Sequence, residues 1–342
     1  MAVVNLASDT QTRPTPAMRQ AIAAADVGDE QKLADPTTLA LQERVAALLG
    51  HEAALFLPSG TMCNVIAFRL HLRRGDEVLV HRTAHPVHFE AGGLGDLAGA
   101  MLRTLDGEGG IFGADALEAA IRAPGDRYAP RSRLVSVEQT TNLGGGRVWP
   151  LDTVQAVLAV ARAHGLKAHL DGARLLNAVV ASGVPAADYA AGFDTAWLDF
   201  SKGLGAPAGA CLAGSAELID EAWRHKQMLG GALRQSGILA AAGLHALDHH
   251  VDRLAEDHAN ARRLAAALAE VPGVTADPAA VETNIVMFDV ADAPAFAAAL
   301  AGEGVLVGAM GPHRIRAVTH LDVDAAGVDR AAAATRDVAR RG

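Results

Sequence analysis

Short apolar runs alternate with helical patterns along the first two thirds of the chain, and that rhythm leaves few folds open. Residues 53–57 (AALFL), 77–80, 101–104, 133–137, 167–170 and 195–200 (TAWLDF) read as buried strands, separated by stretches such as 151–164 with apolar residues at helical spacing. Strands joined through helices of ~10–15 residues pair as right-handed parallel crossovers, so the rhythm predicts an α/β fold with a mainly parallel sheet. Residues 208–213 follow the 195–200 run too closely for a helical crossover and are expected to pair antiparallel with it. Helices are expected at 16–25, at 38–49 behind Asp35 and Pro36 and ahead of Gly50, and from Thr61 to Arg73.

After residue 245 the order changes. A long helical stretch around 244–256 leads on to 269, followed by a strand at 284–289, a helix at 294–302, strands near Val305 and at 314–318, and a closing helix. This predicts two units: 1–245, an N-terminal segment with a large parallel-sheet domain, and 246–342, a smaller α+β domain. No internal repeat or low-complexity tract interrupts them.

Charge and cysteine usage narrow the function. A net charge of −9, with no basic stripe, argues against nucleic acid as partner and against a regulatory module with an appended DNA-binding segment. No run approaches the ~18 apolar residues of a membrane span, and the start lacks a secretory pattern, so no membrane association is expected. Cys63 and Cys211 are the only cysteines, which favours a reducing, cytoplasmic setting.

Three features near strand ends could carry chemistry. In FSKGLGAPAG (200–209), Lys202 follows an apolar strand and precedes glycines that allow a ligand close to the backbone. A desolvated lysine has a depressed pKa and can form a Schiff base. Asp171, in HLDGAR (169–174), closes another strand; it could cap the next helix, or hold a pyridine nitrogen protonated. Ser59-Gly60-Thr61 falls between a strand and a helix N-terminus, where unpaired N–H groups and the helix dipole favour a phosphate. Each could be an ordinary turn or cap; together they answer the separate needs of pyridoxal 5′-phosphate. A metal is not expected: His81, His85, His88 and Glu90, or His245 and His249, are better read as ring packing and a solvated helix face.

The same stretches resemble the fold type I pyridoxal-phosphate enzymes (aspartate aminotransferase-like) and, among them, the low-specificity L-threonine aldolases. The similar segments run in order: SDTQTRPTPAM (8–18), VGD and DPT (27–29, 35–37), FLPSGT (56–61), AH and FEAGG (84–85, 89–93), HLDGARLLNAVV (169–180), SKGLGAPAG (201–209), LRQSGILAAAG (233–243) and VTHLDV (318–323). The resemblance implies that Lys202 carries the cofactor and Asp171 pairs with its ring nitrogen. It implies that Ser59, Gly60, Thr61 and Ser201 line the phosphate end, with Arg234 from a neighbouring subunit, and that His85 stacks on the ring as catalytic partner. Ser8, Arg174 and Arg316 would bind the substrate carboxylate, with Arg174 also near the cofactor. It further implies a homodimer or homotetramer with shared active sites, and reversible cleavage of threonine, allo-threonine or related β-hydroxy-α-amino acids to glycine and an aldehyde.

Departures from the family pattern fall on the substrate side. Lys32 stands where a tyrosine is usual, Tyr128 where a histidine is usual, and Glu138-Gln139-Thr140-Thr141-Asn142 replaces Glu-Asn-Thr-His-Asn; Gln227 replaces a basic residue, leaving Lys226 beside it. By position Lys32 and Tyr128 would face the substrate, and loss of the histidine suggests bulkier aldehydes, as from phenylserine. A β-eliminating lyase or an aminotransferase acting on a small amino acid is the alternative that Lys202, Asp171 and the phosphate site would equally serve.

Overall fold

The computed structural model describes residues 3–341. Among them, a seven-stranded sheet runs in the order Ala53–Leu57, Ala210–Gly214, Thr195–Asp199, Lys167–Gly172, Ser132–Glu138, Glu77–His81, Met101–Leu105. Ala210–Gly214 is antiparallel to both neighbours and the other pairings are parallel. The parallel rhythm and its one antiparallel exception thus match the expectation.

Local signals account for many element ends. The Pro36–Leu49 helix starts where the Asp35 carboxylate accepts the Thr38 N–H at 2.9 Å and Pro36 presets the first turn, and it ends at Gly50 with φ 68°. Inner strands such as Glu77–His81 and Thr195–Asp199 are buried on both faces, hence their continuous apolar runs, whereas the edge strand Met101–Leu105 is largely exposed. One expectation fails: the stretch around 244–256 is two helices, Gly237–His249 and Leu254–Ala269. His250 leaves the helical path and turns inward, its Nδ1 bonding the Leu204 carbonyl at 2.7 Å. Periodicity carries no trace of such a long-range bond.

Two cores organise the molecule. The larger covers one face of the seven-stranded sheet and extends to Leu254, with two smaller clusters around Trp197 and Phe68 on the other face. The smaller begins at Ala261, includes Val286, Ile315 and Val328, and takes Val4 and Leu6 from the start of the chain. There Val4–Asn5 pairs in parallel with Val305–Leu306, a two-residue strand too short to show a pattern. The chain therefore enters through the smaller unit before crossing into the larger one, which carries residues 7–13 along the boundary between the cores. No helix among the described residues is long and apolar enough to cross a membrane.

Candidate active site

The carboxyl ends of the parallel strands converge on one edge of the sheet, where open α/β folds bind ligands. Ala53–Leu57 leads into Ser59-Gly60-Thr61, Glu77–His81 into His85, Ser132–Glu138 ends on Glu138, Lys167–Gly172 holds Asp171, and Thr195–Asp199 leads to Ser201 and Lys202. Alignment of the strands, rather than any local motif, brings these residues together.

Lys202 is mostly buried, with Nζ 2.5 Å from Asp199 Oδ2 and 5.5 Å from the centre of the Trp197 ring. Asp199 also accepts the Ser201 hydroxyl at 2.8 Å, so one carboxylate organises both residues. The Thr12 hydroxyl donates to the Lys202 carbonyl at 2.7 Å, fastening the N-terminal segment over the loop. Gly209 closes the loop at φ 110°, and a Cβ there would lie 2.6 Å from the Phe56 ring.

At the phosphate-binding candidate, Ser59 caps the Gly60–His71 helix through Met62 N–H. The N–H groups of Gly60 and Thr61 have no intrahelical partner, as in any first turn. A Cβ on Gly60 would sit 2.3 Å from the Trp197 ring, so only glycine fits.

Asp171 is buried, accepting Asn64 Nδ2 at 2.9 Å and the Ala173 N–H at 3.1 Å. Desolvation pushes its pKa up, and the Asn64 hydrogen bond opposes this. Glu138 lies in register beside it on the next strand, and burial together with the Asp171 charge raises its pKa to about 8. His85 Nδ1 lies 2.9 Å from Glu90 Oε1, with the imidazole partly exposed.

On the substrate side, Arg174 has a partner within the chain. Arg174 donates Nε and Nη2 to the two oxygens of Asp9, both at 2.7 Å, in a buried bidentate pair. Burial alone would raise the Asp9 pKa, but the Arg174 charge and hydrogen bonds, with Lys202 behind them, hold it well below the usual carboxylate range. Three N–H donors of Arg174, two on Nη1 and one on Nη2, are left over from this pair. Arg316 donates Nη1 to Asn142 Oδ1 at 2.6 Å, while its buried Nε has no partner. Burial and the nearby Arg174 lower its pKa, and the Asp9 charge opposes them. The Ser8 oxygen accepts from the Thr10 hydroxyl at 2.8 Å on the same N-terminal segment.

One expected residue lies away from this edge, and two others stand exposed on the single chain. Tyr128 is fully exposed, in the loop that precedes Ser132–Glu138 and so at the opposite strand ends. Lys32 is exposed at the end of a short turn, and Arg234, 62% exposed, lies 3.5 Å from Asp29 on the same face. Beneath that face Lys226 is fully buried and paired with Glu30 at 2.9 Å. Among the described residues no three His, Cys, Asp or Glu side chains converge as a metal site requires. A cavity of about 820 Å³ near Lys167, Asp194 and Glu221 opens at the opposite strand ends and contains none of the candidate residues.

Sequence reasoning passed over Asp9, Asn64 and Asp199 as site residues. Asp199, three residues before Lys202, and Asn64, one helical turn after Gly60, had positional signals. Asp9 had none beyond its neighbour Ser8, because its partner lies 165 residues away.

Known proteins share the sequence and the fold of this chain. The family model described as β-eliminating lyase matches residues 5–293. The chain is 42% identical over 325 residues to a probable low-specificity L-threonine aldolase 2 of Arabidopsis thaliana, covering 93% of this chain and 92% of that one. It is 40% identical over 324 residues to the low specificity L-threonine aldolase of Escherichia coli (strain K12), covering 94% and 95%. A threonine aldolase structure from Leishmania major superposes with a TM-score of 0.84 at 20% identity, covering 98% and 99%, and so shares the fold. The chain belongs to the β-eliminating lyase family of fold type I pyridoxal-phosphate enzymes, with low-specificity L-threonine aldolases as its relatives.

Proposed function

We propose that this protein cleaves the Cα–Cβ bond of L-threonine, L-allo-threonine and related β-hydroxy-α-amino acids, phenylserine among them, to glycine and an aldehyde, reversibly. The observation that carries this reading is the convergence of Lys202, Asp171 and the Gly60–Thr61 helix start at one sheet edge, beside Arg316 with its unmet Nε.

The residues fit pyridoxal phosphate. Lys202 would hold it covalently and buried Asp171 would face its ring nitrogen. Ser59, Gly60, Thr61 and Ser201 would take the phosphate, and His85 would cover a ring face. Bound there, the cofactor supplies an electron sink conjugated with the substrate's Cα.

The protein's own part is orientation and proton handling. Arg316 Nε, Arg174 Nη1 and the Ser8 hydroxyl would grip the carboxylate, fixing rotation about Cα so that the Cα–Cβ bond is the one aligned to break. With Nδ1–H donated to Glu90, His85 keeps its lone pair on Nε2, where it can accept the β-hydroxyl proton directly or through a water. The electron pair of the broken bond stays with Cα, the hydroxyl oxygen becomes the aldehyde carbonyl, and a proton delivered to Cα completes glycine.

Arg234, Lys32 and Tyr128 would serve the site of a neighbouring subunit in a homodimer or homotetramer, consistent with their exposure on the single chain. A cytoplasmic setting belongs to the same reading, with Cys63 and Cys211 free and buried.

The test is to incubate the pyridoxal-phosphate-loaded protein with threonine, allo-threonine and phenylserine and measure glycine and aldehyde. Wild type should yield both products. Lys202→Ala should yield neither and lack the visible absorbance band that borohydride removes. Pyruvate and ammonia from serine, without aldol products, would transfer the assignment to β-elimination, and a keto acid requiring an added acceptor would transfer it to transamination.

A further inference from the structure

Asn64 uses its whole hydrogen-bonding capacity inside the molecule. Its Nδ2 donates to Asp171 Oδ2 at 2.9 Å and to Glu90 Oε1 at 2.7 Å, while its Oδ1 accepts from Trp197 Nε1 at 2.8 Å and from His169 Nε2 at 3.1 Å. An amide offers two donors and two acceptor lone pairs, so all four are satisfied. Rotating the amide by half a turn would set its oxygen against two carboxylates and its nitrogen against two N–H donors. Only one orientation is possible.

That orientation is enforced from behind. Since Oδ1 can only accept, His169 must donate from Nε2 and accept at Nδ1, 2.8 Å from the Thr195 hydroxyl. Thr195 in turn accepts from His71 Nε2 at 2.9 Å. Burial, with His71 adding to it, lowers the His169 pKa to about 3, and burial lowers that of His71 to about 4. Both rings are therefore neutral near pH 7, and the chain keeps its direction. At its front end Glu90 Oε1 meets His85 Nδ1, so the amide that holds Asp171 also holds the partner of His85.

We propose that Asn64 is a positioning residue for the cofactor's ring nitrogen: it fixes the Asp171 carboxylate through an amide that is itself locked by Glu90, His169 and Trp197. This rests on the assignment of Asp171 to the ring nitrogen. It predicts that loss of Asn64 weakens the interaction with that nitrogen selectively, leaving the phosphate end intact.

The experiment compares binding of pyridoxal 5′-phosphate and of 1-deazapyridoxal 5′-phosphate, in which C–H replaces the ring nitrogen, to cofactor-stripped protein. Asn64→Ala should lose about tenfold in affinity for the first, equivalent to about 1.4 kcal/mol, and less than about twofold for the second. Equal losses for both, or no loss for either, would overturn the proposal, because a merely structural residue does not distinguish the two rings. Asp171→Asn serves as reference: if it fails to discriminate, the assignment of Asp171 falls and the inference with it, whereas discrimination by Asp171→Asn but not by Asn64→Ala overturns the inference alone. Should Asn64→Ala not fold, the His169 variants decide. His169→Leu, which removes the donor to Oδ1, should show the same selective loss, and His169→Gln, whose Nε2 can replace it, should restore the affinity; the absence of that contrast would also overturn the proposal.

Discussion

Glu138 and Asp171 lie side by side on adjacent strands, two buried carboxyls competing for one environment. Because the folded pKa of Glu138, about 8, lies above the ordinary value of 4.5, the folded chain holds a proton that the unfolded chain releases. The associated stabilisation is complete below the ordinary value and is lost as pH rises through the folded one. Cofactor-free wild type should therefore lose thermal stability relative to Glu138→Gln between pH 5 and 8, by about 1–2 °C in Tm for each kcal/mol. Parallel Tm curves for the two proteins would show that Glu138 is ionised throughout. The lowered pKa values of His71 and His169 work in the opposite sense below neutrality, and the comparison cancels them. At the same scale, His85→Asn should reduce retro-aldol turnover by about 10²–10⁴-fold with far less effect on cofactor affinity if His85 Nε2 is the base. Near-normal turnover would assign the ring to stacking only.

The Gly60–His71 helix carries two functions of the site on one element. Its first turn presents the N–H groups of Gly60 and Thr61, and one turn further Asn64 points inward to Asp171. Its packing therefore sets the spacing between the phosphate end and the ring-nitrogen end. The close approach of Gly60 to Trp197 makes that spacing sensitive to a single methyl group. Gly60→Ala should cost ~1–3 kcal/mol through overpacking and weaken cofactor binding, read by thermal melting and by titration of stripped protein. Unchanged values of both would mean that the helix shifts without consequence and does not set the geometry.

At the scale of the whole molecule, the N-terminal segment joins the cores. Val4 and Leu6 pack in the smaller core, Asp9 clamps Arg174 of the larger unit, Asn284 Nδ2 reaches Asp9 at 3.1 Å, and Thr12 holds the Lys202 loop. Both cores thus meet at the corner proposed to bind the substrate carboxylate. The exposed positions of Arg234 and Lys32 lead to a test of subunit sharing. Lys202→Ala and Arg234→Ala, each impaired alone, should regain activity on co-expression, to roughly a quarter of wild type for a randomly mixed dimer in which each site draws on both chains. No gain over the two proteins assayed separately would place Arg234 outside the neighbour's site.

What the sequence determined by itself was the local order. Strand and helix periodicity, the Asp35 and Gly50 caps, and Lys202, Asp171 and Ser59-Gly60-Thr61 at strand ends are properties of short segments, and short segments dictate them. The tertiary structure decided everything that needs a distant partner. It gave Arg174's guanidinium fork to Asp9, locked Asn64 between two carboxylates and two ring N–H groups, broke the helix at His250, and left Tyr128 at the opposite sheet edge from Lys202. Each of these follows from bonds or strand directions that join residues tens to hundreds of positions apart, and a buried polar group is bound to whatever partner the fold brings to it.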